Sequence, residues 1–175
     1  MAHHTLIVYA TIDGHTRKIC QRIREILETQ NQRVTLRTAD ELHENLSDYD
    51  AIIIASSIRY GKHNPKIIEL IEQNTEVLSR KKAAFVSVNL VARKAEKNQP
   101  DTNPYVIKFL SQIRWKPTKV AVFAGKLNYK IYSFWDKIMI KLIMVITKGP
   151  TRSDTEIDYT DWDKVTEFAT EFAAE

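Results

Sequence analysis

The chain has 175 residues, 43% of them hydrophobic and 27% charged, with a formal net charge of +4, which excludes a disordered or low-complexity chain. Cys20 is the only cysteine, so an internal disulfide is excluded, a reducing compartment fits, and the residue reads as a small buried apolar side chain rather than a redox centre. No apolar run approaches the ~18–20 uncharged residues of a spanning helix, and the mild basicity favours anionic partners without choosing among them.

In chain order, residues 6–9 read as a first strand, an early start that is not a signal-peptide layout. Residues 15–29 follow as a helix, with Ile19, Ile23, Ile26 and Leu27 at helical spacing. Residues 33–37 alternate as a second strand, and the β-branched run 51–55 reads as a third strand covered on both faces. Pro65 opens a helix that Ile67, Ile68, Ile71 and Leu78 continue as one element. Residues 83–89 are a fourth strand, 93–103 a polar loop, and Pro104 opens a helix through Arg114. Residues 119–124 are a fifth strand closed by Gly125, and 155–159 read as a resumption of it. A last helix starts at Trp162 after Thr160 or Asp161, with Val165, Phe168, Ala169 and Phe172 on its face. Strands alternating with helices imply an α/β domain over residues 1–175 with a five-stranded parallel sheet in the order 2-1-3-4-5.

Two strand-to-loop junctions stand beside each other in that order. The first leads into Thr11, Asp13, Gly14, His15 and Thr16, the second into Ser57, Ile58, Arg59, Tyr60 and Gly61. Ligands of open parallel sheets bind beyond the carboxyl ends of strands where the order reverses. Gly14 permits a tight turn, Thr11 and Thr16 can donate to phosphate oxygens, and the free N–H groups of the following helix favour an anion. The motif is neither a Walker loop nor a dinucleotide fingerprint, and the same residues would also serve as a plain helix cap.

At these residues the chain resembles a flavodoxin. The block Ser87, Val88, Asn89, Leu90, Val91, Ala92, Arg93, Lys94, together with residues 57–61, Thr102, Asn103, Trp135, Asp136, 141–144 and 159–162, resembles the bacterial quinone-dependent protoporphyrinogen IX dehydrogenase family over nearly the whole chain. The resemblance implies a flavodoxin-like three-layer sandwich with a long insertion, about 128–154, in the last strand. It implies non-covalent FMN, with Thr11, Asp13, Gly14, His15 and Thr16 around the phosphate. Ser57, Ile58, Arg59, Tyr60 and Gly61 would line one side of the ring, and Ser87, Val88, Asn89 and Leu90 the other. Asp13 departs from the hydroxyl residue usual there and is expected to point away and cap the helix. The third loop lacks the aromatic residue that often shields a flavin, which suits a large flat substrate.

The implied reaction is oxidation of protoporphyrinogen IX in haem biosynthesis, in two-electron rounds, with electrons passed to ubiquinone or menaquinone. The flavin carries the chemistry, so no side chain is assigned as catalytic. Arg59, Arg93, Lys94 and Lys97 are candidates for the substrate's propionates, with a solvated basic loop as the alternative for them. His63 borders the second loop and reads as a solvent-exposed histidine rather than a proton carrier.

Residues 131–148 form a basic amphipathic stretch. Lys137, Lys141 and Lys148 share one stripe, opposite Phe134, Trp135, Ile138, Met139, Leu142, Val145 and Ile146, with Tyr132 and Trp135 at one end. Such a helix can lie on an anionic membrane, which places the protein peripherally at the cytoplasmic face of the inner membrane; packing on the body or a dimer contact is the alternative. No metal site is expected, and dispersed Lys and Arg without interleaved aromatics argue against nucleic acid. The rival function is an electron-transfer flavodoxin that docks on redox proteins, a class usually acidic, unlike this chain.

Overall fold

A computed structural model describes residues 3–175. Five parallel strands form the main sheet: β1 (His4–Ala10), β2 (Arg33–Thr38), β3 (Ala51–Arg59), β4 (Lys82–Val88) and β5 (Lys119–Phe123). Their order is β2-β1-β3-β4-β5, as the alternating pattern implied. Side chains of a strand alternate between faces, and both faces here are apolar. Ile7, Ile53 and Val86 pack with Ile19, Ile23 and Leu27 of α1 (His15–Thr29) and with Val165, Phe168 and Phe172 of α6 (Trp162–Ala174). Leu6, Ile52, Ile54 and Phe85 face the opposite way, onto α2 (Pro65–Gln73), α3 (Thr75–Arg80) and α4 (Pro104–Gln112). Asp161 caps α6, accepting from the N–H groups of Asp163 and Lys164.

Two local expectations change. The helix opened by Pro65 is broken at Asn74 into α2 and α3. Asn74 Nδ2 donates to Leu70 O at 2.9 Å and Thr75 Oγ1 donates to Ile71 O at 2.9 Å, so side chains compete with the backbone ladder at the break. Residues 155–159 do not rejoin the parallel sheet. Instead β6 (Lys126–Asn128) and β7 (Glu156–Asp158) pair antiparallel as a separate ribbon, with Leu127 opposite Ile157. The chain between them leaves and returns through this ribbon and carries α5 (Phe134–Ile146), capped by Ser133.

Candidate functional site

The carboxyl ends of β1, β3 and β4 open on one cavity of about 290 Å³. Thr11, Asp13, His15 and Thr16 line it from the first loop, Ser57 to Gly61 from the second, and Val88, Asn89 and Leu90 from the third. The first two are the loops that the sequence pattern singled out; the third is the one that the family resemblance added. Gly14 itself is the N-cap of α1, in the left-handed conformation at φ 81°, where an L side chain is strained. Its N–H donates to Thr11 Oγ1 at 3.1 Å, which closes the turn and leaves the Thr11 proton free for a ligand. Thr16 Oγ1 is buried without a hydrogen-bond partner among the described residues. An orphaned hydroxyl beside the free N–H groups of a helix start fits a phosphate oxygen, because it supplies the missing partner.

His15 sits in the same turn. Its Nε2 lies 2.6 Å from Thr160 Oγ1, and Thr160 donates its own proton to Ala124 O at 2.9 Å, so the histidine proton resides on Nε2. Burial lowers the His15 pKa, against the opposing pull of Asp158. A neutral imidazole therefore ties α1 to the start of α6.

Asp13 does not cap α1; no side chain does. Its carboxylate pairs with Arg59 at 3.1 Å, because the left-handed Gly14 takes the cap position and turns the loop toward the neighbouring strand. Arg59 also pairs with Asp136 of α5 at 3.2 Å, and Tyr60 donates to Asp136 at 2.5 Å. Both partners hold the Asp136 carboxyl below its usual pKa, the Tyr60 hydrogen bond most.

Ser87 lies behind the cavity wall rather than on it. Its Oγ shares a 2.8 Å hydrogen bond with His63 Nε2 and accepts from Asn89 Nδ2 at 3.1 Å. Asn89 Oδ1 in turn accepts from Ala92 N–H and from Asn103 Nδ2. The Asn89 side chain is thus committed to holding its own loop. His63 is corrected from an exposed to a buried residue, 4% exposed, with its ring against Phe85 and Phe109. Burial pushes its pKa down to about 4, so it is neutral at pH 7. The short antiparallel strand Lys62–His63 folds back on β3 and draws the ring inward, which loop composition alone does not reveal.

Arg93 is not on the cavity wall. Its guanidinium donates to Leu90 O at 3.0 Å, Thr147 O at 3.1 Å and Thr147 Oγ1 at 2.8 Å, clamping the end of α5. Lys94 and Lys97 follow it around two short 3-10 turns and also lie off the wall. Two lysines that sequence reading did not select, Lys18 and Lys126, do line the cavity. So do Tyr105 of α4 and Tyr132, which is buried rather than displayed beside Trp135. Aromatic surface missing from the third loop therefore arrives from distant segments, which no local spacing signals.

Met139, Ile140 and Ile143 of α5 complete the wall. The other side of this helix faces solvent: Phe134 and Trp135 are each 70% exposed, and Ile138, Leu142, Val145 and Ile146 are exposed beside them. No helix among the described residues is long and apolar enough to cross a membrane.

Comparison with known proteins agrees with this geometry. A flavodoxin domain model matches residues 6–154. The protoporphyrinogen IX dehydrogenase [quinone] of Leishmania major is 43% identical over 171 residues, 97% of this chain and 74% of that protein. The protein of the same name from Escherichia coli K12 is 40% identical over 170 residues, 97% of this chain and 94% of that protein. Among solved structures, oxidised Flavodoxin 1 from Bacillus cereus matches at TM-score 0.57 and 14% identity, covering 98% of each chain, and a flavodoxin from the Archaea at 0.55 and 12%, covering 98% and 96%. Those likenesses show the fold. The chain belongs to the flavodoxin-like protoporphyrinogen IX dehydrogenase (quinone) family of oxidoreductases.

Proposed function

We propose that this protein oxidises protoporphyrinogen IX to protoporphyrin IX, with FMN in the cavity and a membrane quinone, ubiquinone or menaquinone, as electron acceptor. The observation that carries the reading is the buried, unpartnered Thr16 hydroxyl at the start of α1, beneath a cavity walled by three strand-end loops. Thr11, Gly14 and Thr16 would hold the phosphate. Residues 57–61 and 88–90 would bracket the ring, with Ser87 and His63 supporting the third loop from behind. FMN, when bound, supplies the two-electron redox chemistry of each round.

The chain's own residues bind and orient. Arg59, at the cavity mouth, is the cation for a propionate carboxylate, since Arg93 is spent on Thr147. Met139, Ile140 and Ile143 shield the interior from water. Membrane contact through residues 131–148, peripheral and at the cytoplasmic face of the inner membrane, is supported by the exposed apolar side of α5 with Lys137 and Lys148 in the same stretch, while Lys141 turns to Ser153 Oγ at 2.7 Å. Greasy reactants on both halves of the reaction give that contact its purpose.

The test is an anaerobic one. Protoporphyrinogen added to FMN-loaded protein is expected to bleach the flavin absorbance, and added quinone to restore it while porphyrin fluorescence grows. Protein that carries no FMN after isolation and accepts none, or flavin that stays yellow with the substrate, removes the reading.

A further inference from the structure

One cation gathers three segments at the mouth of the cavity. Arg59 Nη2 reaches Asp13 Oδ1 at 3.1 Å, in the loop after β1, and Nη1 reaches Asp136 Oδ1 at 3.2 Å, in the first turn of α5. The Tyr60 hydroxyl donates to that same Asp136 oxygen, and Ser133 Oγ donates to the other at 2.8 Å. Tyr60 takes part from a left-handed conformation, φ 50°, next to Gly61 at φ 74°. A tyrosine in that region is strained and stays there when its surroundings over-determine it. The hydroxyl bond to Asp136 is one such tie.

The charge count is two carboxylates on one guanidinium, with the Arg59 and Asp136 side chains 16% and 20% exposed. A third carboxylate brought to Arg59 would leave two uncompensated negative charges in a poorly solvated place. Replacement of one carboxylate by another is electrostatically neutral. The backbone that carries Asp13 is held beside Arg59, because its loop is closed by the Gly14-to-Thr11 hydrogen bond and anchored through His15 to Thr160. Asp136 stands on a helix of which, among the described residues, Met144 alone is buried. The far end of α5 is fixed: Arg93 holds Thr147, and a Cβ on Gly149 would come within 2.3 Å of Met144 Sδ. The near end follows Tyr132, 6% exposed with its hydroxyl accepting from Asn128 N–H at 3.2 Å, so movement of Asp136 is confined to the first turns of α5 beyond that anchor. Volume demands movement as well. About 290 Å³ is just below the ~300–1,000 Å³ usual for ligand pockets, so a cofactor and a macrocycle do not both fit in the cavity as it stands.

We propose that Asp136 is a specificity-determining residue whose carboxylate occupies, on Arg59, the place taken by a carboxylate of the substrate. A substrate bearing that group displaces Asp136 and frees the head of α5; a ligand of equal size without it meets Arg59 still paired with Asp136. The identity of the macrocycle rests on the function proposed above, whereas the exchange rests on the Arg59 cluster.

The experiment uses FMN-loaded protein, protoporphyrin IX and its dimethyl ester as probes, binding read by porphyrin fluorescence, and amide hydrogen exchange of residues 134–146. Wild type is expected to bind the diacid at least tenfold more tightly than the ester, and the diacid alone to speed exchange in the first turns of α5. Asp136→Asn is expected to speed that exchange without ligand, to tighten diacid binding about tenfold and to leave the ester within twofold. Arg59→Gln should abolish the preference for the diacid. Equal tightening of diacid and ester in Asp136→Asn would mean that Asp136 only holds the helix down, and overturns the proposal. So does unchanged or weaker diacid binding in that variant, a preference that survives Arg59→Gln, or a wild type that binds neither probe. Failure of the enzymatic reading is a separate result, seen as flavin that protoporphyrinogen does not bleach in a protein that still discriminates the two probes.

Discussion

Strand β3 and helix α5 are both rich in apolar side chains, yet they treat them in opposite ways. Ile52, Ile53 and Ile54 of β3 are 0% exposed, packed between helices on both faces of the sheet. In α5, Phe134 and Trp135 are 70% exposed while a narrower side, including Met139 and Ile143, walls the cavity. Apolar surface buried within the chain stabilises the fold; apolar surface left in water does not, and a patch of this kind marks a contact with something else. The sheet is thus the buried cradle, and α5 is held by a smaller apolar contact, Met144 and Ile140 with Leu127, Tyr129 and Tyr132, and by polar ties at its two ends.

Matched truncations break or sharpen that contrast most directly. Ile53→Ala is expected to lower stability by about 2–5 kcal/mol, whereas Leu142→Ala on the open side of α5 should stay within about 0.5 kcal/mol. Urea unfolding measures both, and equal costs would erase the distinction.

A second difference concerns charge. His63 belongs to the cradle and stays neutral until about pH 4 because it is buried. The unfolded chain takes up that proton near pH 6.5, so between these values it binds more protons than the folded one. Stability therefore falls as pH drops through the window, by a total on the order of 3 kcal/mol. In His63→Gln the urea midpoint should lose this part of its slope between pH 6.5 and 4, and an unchanged slope would place the histidine in solvent.

The strap answers to different measurements. Trp135→Ser should weaken binding to anionic vesicles about tenfold and leave the urea midpoint in place. Partitioning that does not change would argue that α5 covers another protein or a second copy. Smallest is the effect of the cap. Ser133→Ala removes an N-cap worth about 1 kcal/mol, expected as faster hydrogen exchange confined to α5 rather than as lower global stability.

Much of the cradle was legible beforehand. The loops at the ends of β1 and β3 are marked by their small, hydroxyl and glycine residues, the loop after β4 only by the family resemblance, and all three line the cavity. The exposed face of α5 is legible too, since Phe134, Trp135, Ile138, Leu142, Val145 and Ile146 of the apolar sector on its wheel are exposed, whereas Met139 of that sector reaches the cavity wall. His63 reads as exposed from sequence because its burial depends on a two-residue strand that pairs back on β3. The capping expectation for Asp13 failed because Arg59, on another strand, offers a stronger partner. Arg93 reads from local sequence as available for a ligand, whereas in the fold the end of α5 rests on it.

The sequence by itself determined the alternation of strands and helices, the parallel sheet, the tight turn at Gly14 and an amphipathic strap, because these follow from periodicities of two and 3.6 and from the backbone freedom of single residues. Only the tertiary structure decided which polar groups meet. Arg59 and Asp13 are 46 residues apart, Tyr60 and Asp136 are 76 apart, and His15 and Thr160 are 145 apart. Partners at such separations are chosen by how crossover connections bring strand ends to one edge of the sheet, and local spacing carries no record of that choice.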